Sequence, residues 1–222
     1  MVNTASFKDF HQGEKVFYGI REACKKYKVP MIGGHFSPED EVTTLSVSIL
    51  GKAKKILTTF NAQEGDEIII ALDLKGRQYK NFLHWDCITN KTSEEVLDKL
   101  SVLPFIAEHI PAHAVRDVSN AGIIGTVCLL LEASRKGGEI YLDNIPAPKE
   151  IDFVDWLRMY PSFGFILSTP EKDAKEISNT FLRKGYVVNN IGKVGNEKKI
   201  VLHYKGEKKL LFDFRVDIFL GQ

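Results

Sequence analysis

The chain has 222 residues, of which 44% are hydrophobic and 27% are charged, a composition typical of a globular protein with a sizeable core. Thirty basic and 29 acidic residues leave a formal net charge of +1, which gives no electrostatic reason to expect nucleic acid or an anionic membrane as the main partner. No apolar run approaches the ~20 residues that a transmembrane helix needs. Small-molecule chemistry and protein contact both remain open.

The cysteines and the first residues bear on the compartment. Cys24, Cys87 and Cys128 are odd in number, far apart and outside CxxC spacing, which indicates neither a disulfide framework nor a zinc site. The opening MVNTASFKDF lacks the basic and apolar regions of a signal peptide. We therefore expect a cytoplasmic protein.

The first 90 residues are predicted to form a mostly sheet-rich domain. A helix is predicted from about Gly13 to Tyr27, because apolar residues recur there every four positions. Strands are predicted where apolar residues alternate or cluster, over 29–34, 44–50 and 66–74. The periodicity fades between Lys75 and Lys91, which predicts a connection and a domain boundary near residue 90.

Residues 91–222 alternate between helical and strand patterns, which predicts a two-layer α/β domain. Ser93 is predicted to cap the first helix of this domain, and Arg135 to Gly138 are predicted to end a later one as basic residues before a glycine stop. Further helices are predicted over 152–161 and 171–185. Further strands are predicted over 139–143, 163–170, 186–194, 198–204 and 208–214.

The stretch VRDVSNAGIIGTVCLLLEAS places small polar residues directly before an apolar helix. The first turn of a helix carries unpaired N–H groups that attract phosphate, and Gly122 would let a ligand approach the backbone. Asp117 would supply a hard oxygen to Mg²⁺, while Ser119 and Asn120 would orient the ligand. The alternative is that these side chains only cap a core helix.

A second candidate site lies in VPMIGGHFSPED. Gly33 and Gly34 follow an apolar strand and are predicted to lead into a polar loop that carries His35, Ser37 and Asp40, an arrangement that suits close ligand approach. The alternative is that the glycines form a bulge and that His35 is a hydrogen-bonded structural residue.

The order of GGH loop, alternating strand, EGD turn, DVSNAGIIGT and a late FGFILSTP resembles the superfamily of aminoimidazole ribonucleotide synthetase (AIR synthase). That superfamily also holds selenophosphate synthetase, thiamine monophosphate kinase and the hydrogenase-maturation dehydratase, and the chain looks most like its AIR synthase-related group of unassigned function. The resemblance implies an α+β, AIR synthase-like fold. It has a sheet-rich first domain over 1–90, a two-layer α/β domain over 91–222, and a ligand cleft between them.

The resemblance also implies an activity and its components. The activity is ATP-dependent phosphorylation, or phosphate activation, of a small-molecule substrate. The implied assembly is a homodimer formed through the first domain's sheet. It implies Mg²⁺ at Asp117 and Asp40. Substrate or nucleotide contacts would come from the remaining motif residues, Gly33, Gly34, His35, Ser37, Ser119, Asn120 and Gly122; the catalytic residues are not identified.

Departures from the family pattern keep a second hypothesis open. His35 stands where several members have an acid, and Asn120 stands where kinase-like members often have a second aspartate, so negative charge for magnesium is reduced. Family members also begin with a segment rich in glycine and aspartate that has no counterpart before MVNTASF, so the chain is expected to correspond to their later portion. The alternative function is a non-catalytic dimeric scaffold or ligand-binding subunit.

Two histidine-containing stretches are interpreted without catalytic roles. HWDC, residues 84–87, is interpreted as an aromatic contact between the two domains rather than a thiol–imidazole pair. His109 and His113 have the i, i+4 spacing of a metal pair on a helix, but Pro111 between them argues against a continuous helix.

Overall fold

The computed structural model describes residues 1–38, 41–217 and 219. It divides into two compact units: unit 1 comprises Met1–Lys54 with Lys91–Leu100, and unit 2 comprises Lys55–Asn90 with Ser101–Gln222. One crossing between the units falls at residues 90–91, where a domain boundary is predicted. The domain ranges 1–90 and 91–222 themselves stay predictions.

Unit 1 is a three-stranded sheet with two helices. Its elements in chain order are β1 (Val2–Ser6), α1 (Phe10–Tyr27), β2 (Gly33–Ser37), β3 (Thr44–Ser48) and α2 (Ser93–Leu100). β1 lies in the centre, parallel to β2 and antiparallel to β3. Asp9 caps α1 by accepting a hydrogen bond from the Gln12 amide at 2.9 Å. The helix ends at Lys28 in a left-handed conformation.

The predicted polar loop at Gly33–Gly34–His35 is wrong, because residues 33–37 form strand β2. The strand predicted at 29–34 is correspondingly displaced towards the C-terminus. β2 pairs with β1 residue by residue, from Val2 opposite Gly33 to Ser6 opposite Ser37. Sequence reasoning did not predict β1, so it lacked the partner that draws this polar segment into a sheet.

Unit 2 is built on a seven-stranded sheet. Its strands are β4 (Glu67–Leu72), β7 (Ala114–Asp117), β8 (Gly137–Tyr141), β10 (Gly164–Thr169), β11 (Val187–Gly195), β12 (Lys199–Tyr204) and β13 (Glu207–Asp213). Its helices are α3 (Val102–His109), α4 (Gly122–Ala133), α5 (Phe153–Arg158) and α6 (Glu171–Arg183), with a 3₁₀ turn at Leu142–Asn144. The strand order is β13-β12-β8-β11-β4-β10-β7.

The centre of this sheet is apolar on both faces. β4 and β10 form an antiparallel pair, and consecutive residues of both strands are fully buried, among them Ile69, Ile70 and Leu167. A strand that is buried on both sides reads as a continuous apolar run rather than an alternating one. This explains why DEIIIALDL and FGFILSTP were recognisable as strands from the sequence.

The predicted connection between Lys75 and Lys91 contains structure that the sequence did not indicate. Strands β5 (Arg77–Gln78) and β6 (His84–Asp86) form a hairpin, and β6 also pairs in parallel with β9 (Tyr160–Pro161). These strands have two or three residues each, so they are too short to show a period. Their third partner lies more than 70 residues away in the sequence.

Two helix ends differ from the prediction. Thr92, not Ser93, caps α2: its hydroxyl accepts from the Glu95 amide at 3.2 Å, while the Glu95 carboxylate accepts from the Thr92 amide at 2.7 Å. At the end of α4, Arg135 adopts the positive φ of 55°, and the predicted glycine stop at Gly137 instead begins β8. The helix predicted over 171–185 does end at a glycine, because Gly185 follows α6 with a positive φ of 73°.

In the described ranges, no helix is both long enough and apolar enough to cross a membrane.

Candidate functional site

The candidate site in unit 2 is the turn between β7 and α4. Asp117 is the last residue of β7 and is exposed, while the next residue, Val118, is buried and donates its amide to the Gly164 carbonyl at 2.9 Å. The Gly122 amide then donates to the Ser119 carbonyl at 2.8 Å and closes the turn. The strand end and this turn together fix where α4 begins.

The side chains of this turn do not cap α4. The residue at the N-cap position is Ala121, which has no side-chain acceptor. Within the part of the chain that the structure describes, no side-chain hydrogen bond joins Asp117, Ser119 or Asn120 to the first turn of the helix. The capping alternative is therefore wrong for α4. The Gly122 amide is bonded to the Ser119 carbonyl, the other first-turn N–H groups have no side-chain cap, and the apolar body of the helix is buried in the core.

Gly122 is required by the backbone that lies against it. Its φ is +73°, which disfavours any residue with a Cβ atom. A Cβ atom at this position would lie 2.6 Å from the carbonyl oxygen of Arg158, the last residue of α5. The end of α5 therefore occupies the space that the sequence analysis assigned to an approaching ligand, and the role of Gly122 is to let α4 start against α5.

The metal prediction is only partly covered by the structure. Among the described residues, no group of three or more histidine, cysteine, aspartate or glutamate side chains is arranged to hold a metal ion. Asp40 lies outside the described residues. Asp117 fits one position of a Mg²⁺ shell, because this ion commonly takes one or two carboxylates and completes its coordination with water and phosphate oxygens.

His35 and Ser37 lie on one polar face of the unit 1 sheet, which we call the hydroxyl face. Alternate residues of a strand share a face, so the register places them with residues of β1 and β3. The polar members are Thr4, Ser6, His35, Ser37, Thr44, Ser46 and Ser48. The hydroxyls of Ser6 and Thr44 are 2.6 Å apart. Sequence reasoning missed Thr4 and Ser6, although the alternation in VNTAS could have indicated β1.

Gly34 lies on the opposite face from His35, where strands β1 and β2 approach closely. A Cβ atom on Gly34 would lie 2.5 Å from the backbone oxygen of Asn3. Gly33, in contrast, has only an ordinary contact with Val2 at 3.7 Å. The need for glycine is therefore structural at position 34.

The motif residues fall into two groups. Gly33, Gly34, His35 and Ser37 belong to unit 1, and Asp117, Ser119, Asn120 and Gly122 belong to unit 2. Each group is contiguous within its own unit.

Sequence reasoning also missed a buried polar cluster formed by Asp66, His113 and Ser168. The Asp66 carboxylate is 3% exposed and accepts from His113 Nδ1 at 2.9 Å, from the Gln63 amide at 2.9 Å and from the Ser168 hydroxyl. The His113 amide also donates to the Ser168 carbonyl at 2.8 Å. The cluster joins β4, β7 and β10 at one end of the sheet. The one sequence feature that could have indicated the cluster is the EGD turn, which ends at Asp66.

His109 and His113 behave as interpreted, whereas the aromatic contact of HWDC lies within one unit rather than between two. α3 ends at His109, so His109 and His113 do not share a helix, as Pro111 predicts. Cys87 is buried, and its sulfur accepts from the Phe163 amide at 3.3 Å. Trp85 packs edge-on against Trp156 with ring centres 5.5 Å apart, an aromatic contact that lies within unit 2.

Comparison with known proteins identifies relatives over most of the chain. The family described as "AIR synthase related protein, C-terminal domain" matches residues 63–205. An uncharacterized protein of Methanocaldococcus jannaschii is 41% identical over 224 residues, which cover 100% of this chain and 69% of the relative. A thiamine-monophosphate kinase of Rhodopirellula baltica is 28% identical over 132 residues, covering 60% of this chain and 38% of the kinase.

A solved structure shows the same fold. Thermotoga maritima PurL complexed with ATP superposes with a TM-score of 0.72 at 14% identity. The match covers 95% of this chain and 36% of PurL, so this chain spans about a third of that protein. The α+β, AIR synthase-like fold expected from the sequence is thereby confirmed.

Proposed function

The chain belongs to the AIR synthase related family, and from that membership we propose that it forms part of an ATP- and Mg²⁺-dependent enzyme. The reaction would phosphorylate a small-molecule substrate or activate one of its oxygens as a phosphate. The family has members that use ATP, since one relative is named a kinase and another has been solved with ATP. The observation that carries the proposal is the uncapped first turn of α4 beside the exposed carboxylate of Asp117.

The start of α4 supplies the chemistry that phosphate binding needs. Unpaired N–H groups and the helix dipole concentrate partial positive charge at the first turn, where an anion is stabilised. The helix runs for 12 residues, and eight of them are buried, so the donors are held rigidly. Ser119 and the exposed Asn120 stand beside this turn and would orient the phosphoryl group.

Asp117 would hold Mg²⁺ together with the phosphate oxygens of the nucleotide. When bound, the ion would neutralise phosphate charge as the phosphoryl group transfers. Asn120 adds an amide rather than a second charge, so Asp117 is the proposed carboxylate ligand of this turn. Asp40 remains the second proposed ligand.

The hydroxyl face of unit 1 is proposed as a surface for substrate contact. Hydroxyl groups both donate and accept hydrogen bonds, and His35 adds one titratable group among them. This combination suits a polar small molecule. Gly34 lets β2 lie close to β1, and the pairing that begins at Gly33 holds His35 and Ser37 in register with Thr4 and Ser6.

We also propose that two copies of the chain pair through the unit 1 sheet. β3 is an edge strand of that sheet, and its apolar residues Leu45 and Val47 are 50% and 45% exposed. The strand contains no lysine or proline to discourage pairing. A second chain that covered this edge would satisfy its backbone groups and bury these side chains.

The test is calorimetric titration of the chain with a non-hydrolysable ATP analogue and Mg²⁺. The wild-type chain is expected to bind saturably, and Asp117→Asn is expected to weaken binding at least tenfold. Glu207→Gln is the matched control because it also removes one exposed carboxylate of unit 2, at the start of β13. Absence of binding to the wild-type chain would contradict the proposal and favour the non-catalytic scaffold. Unchanged binding by Asp117→Asn would contradict the role of Asp117.

A further inference from the structure

We propose that four aromatic side chains of unit 2, Tyr79, Phe82, His84 and Tyr160, form a binding surface for the planar heteroaromatic ring of a phosphorylated ligand. We call this set the aromatic platform. The inference rests on the proposed function, because it assigns a place to the ring of a ligand whose phosphate lies at the start of α4. Its members lie outside the two candidate ligand motifs, and only His84 belongs to a stretch, HWDC, that the sequence singled out.

The platform is built by the small sheet of β5, β6 and β9. His84 on β6 is directly opposite Tyr160 on β9, and their rings stack with centres 5.1 Å apart and an interplanar angle of 22°. On the other side, the Tyr79 amide donates to the His84 carbonyl at 2.9 Å, and their ring centres are 6.1 Å apart. Phe82 continues the series by stacking on Tyr79 at 6.1 Å and 22°.

The platform is exposed at one end and rigid underneath. Phe82 is 59% exposed and Tyr79 is 43% exposed, so part of each side chain is open to a ligand. The His84 ring is fixed by a hydrogen bond of 3.1 Å between its Nε2 and the Ser162 hydroxyl. Trp85, the next residue, is buried against Trp156. Rings that are already ordered lose little conformational entropy when a ligand stacks on them.

The segment that carries Tyr79 and Phe82 is basic, although Arg77 on β5 lies opposite Asp86 on β6. Residues 74–83 contain Lys75, Arg77 and Lys80 and no acidic residue. Lys80 extends over the Tyr79 ring, with its Nζ atom 5.3 Å from the ring centre. Aromatic rings interleaved with cations are the arrangement that proteins use to stack bases and neutralise their phosphates.

The Tyr160 end of the platform lies close to the start of α4 in space. Tyr160 is two residues from Arg158, and the Arg158 backbone packs directly against Gly122. Two extended residues span at most about 7 Å. The exposed Tyr79 and Phe82 rings lie further along the platform, beyond His84, whose ring centre is 5.1 Å from that of Tyr160 and 6.1 Å from that of Tyr79. A ligand with its phosphate at the first turn of α4 therefore reaches these rings only if it extends along the platform.

Two sources can supply such a ring: the base of the nucleotide and the substrate itself. The probes distinguish them. They are a non-hydrolysable ATP analogue with Mg²⁺, tripolyphosphate with Mg²⁺, which has no ring, and two ring-bearing monophosphates, uridine monophosphate and pyridoxine phosphate. Calorimetry measures the affinity of the wild-type chain and of each variant for every probe.

The test variant is Tyr79→Ala combined with Phe82→Ala. We expect it to bind the ATP analogue or a ring-bearing monophosphate about tenfold to a hundredfold more weakly, the cost of losing one stacked ring. Its affinity for tripolyphosphate is expected to stay unchanged. A loss confined to the ATP analogue identifies the nucleotide base as the ring, and a loss for a monophosphate identifies the substrate.

Two further variants control for folding and for nonspecific loss of aromatic surface. Tyr79→Phe keeps the ring and is expected to bind as the wild type does. Tyr204→Ala removes a comparable tyrosine that stacks on Phe153 at 5.6 Å and has Lys205 Nζ 4.9 Å from its ring centre, and it is expected to have no effect. Equal unfolding midpoints of the double variant and the wild type show that the fold is intact.

The inference is overturned if the double variant binds every ring-bearing probe as the wild type does, or if the wild type binds none of them more tightly than tripolyphosphate. The proposed function fails separately. It fails if Asp117→Asn changes the affinity for neither the ATP analogue nor tripolyphosphate, whatever the affinities of the platform variants.

Discussion

The carbonyl oxygen of Arg158 lies 2.6 Å from the position that a Cβ atom would occupy on Gly122. Arg158 ends α5 and Gly122 begins α4, so the last turn of one helix determines where the other starts. The placement of the α4 first turn, and with it the proposed phosphate site, therefore depends on the packing of α5.

Gly122→Ala is expected to lower the free energy of unfolding by about 3 kcal/mol, because it adds both a positive-φ penalty and a steric overlap with Arg158. Urea unfolding measures the loss. Gly206→Ala is the control, since Gly206 also has a positive φ, of 83°, but has no atom within 4 Å of an added Cβ. It should lose only about 1 kcal/mol. Equal losses for the two variants would show that the contact with Arg158 is unimportant.

Asp66→Asn is expected to destabilise unit 2 by about 2 to 3 kcal/mol. The substitution preserves shape but replaces an acceptor oxygen with a donor, so at least one of the three donors, His113, the buried Ser168 hydroxyl and the Gln63 amide, is left without an acceptor. Asp152→Asn provides the comparison, because Asp152 caps α5 and asparagine caps equally well. If both variants unfold at the wild-type urea concentration, the Asp66 cluster does not hold the strands together.

The sequence predicted those elements whose signal is local. β4 and β10 are continuous apolar runs, and α6 has a regular amphipathic pattern that ends at Gly185, so each was recognisable without its neighbours. β2 was not, because Gly33–Ser37 is polar and becomes a strand only by pairing with β1. The aromatic platform was missed for the same reason, since His84 meets Tyr160 only through a parallel pairing of very short strands.

The candidate site shows the same division between local and tertiary information. The turn of Asp117, Ser119 and Asn120 before α4 could be read from the sequence, but the role of Gly122 could not. Its neighbour Arg158 is 36 positions away and contributes only backbone atoms to the contact. No pattern of side chains in the sequence indicates such an approach.

Cys128 is expected to resist thiol reagents at pH 8, whereas the half-buried Cys24 reacts. Burial within α4 raises the pKa of the Cys128 thiol from its ordinary value of 9.0 to about 12, so the reactive thiolate is scarce. The unfolded chain releases the Cys128 proton near pH 9.0, whereas the folded chain holds it up to about pH 12. The free energy of unfolding therefore falls as the pH rises from 9 towards 12, because unfolding then releases a proton. Peptide mapping after labelling checks the order of reaction. Rapid labelling of Cys128 in the folded chain would mean that α4 opens readily.

Val47→Lys is expected to convert the proposed dimer into monomers. A lysine on the β3 edge places charge where a second strand would pair, and desolvating that charge is costly. Sedimentation equilibrium gives the mass of each variant. Leu210→Lys serves as the control, because Leu210 is 51% exposed but lies in unit 2 on β13. A wild-type chain that sediments as a monomer contradicts pairing through β3.

The central claim is that the first turn of α4 binds the phosphates of a nucleotide. The most direct measurement is an NMR titration of the ¹⁵N-labelled chain with the non-hydrolysable ATP analogue and Mg²⁺, in which amide shifts are followed residue by residue. The account predicts that the largest saturable shifts fall on residues 117–125 and disappear in Asp117→Asn. Saturable shifts confined to other segments, or no shifts at millimolar analogue, would contradict it.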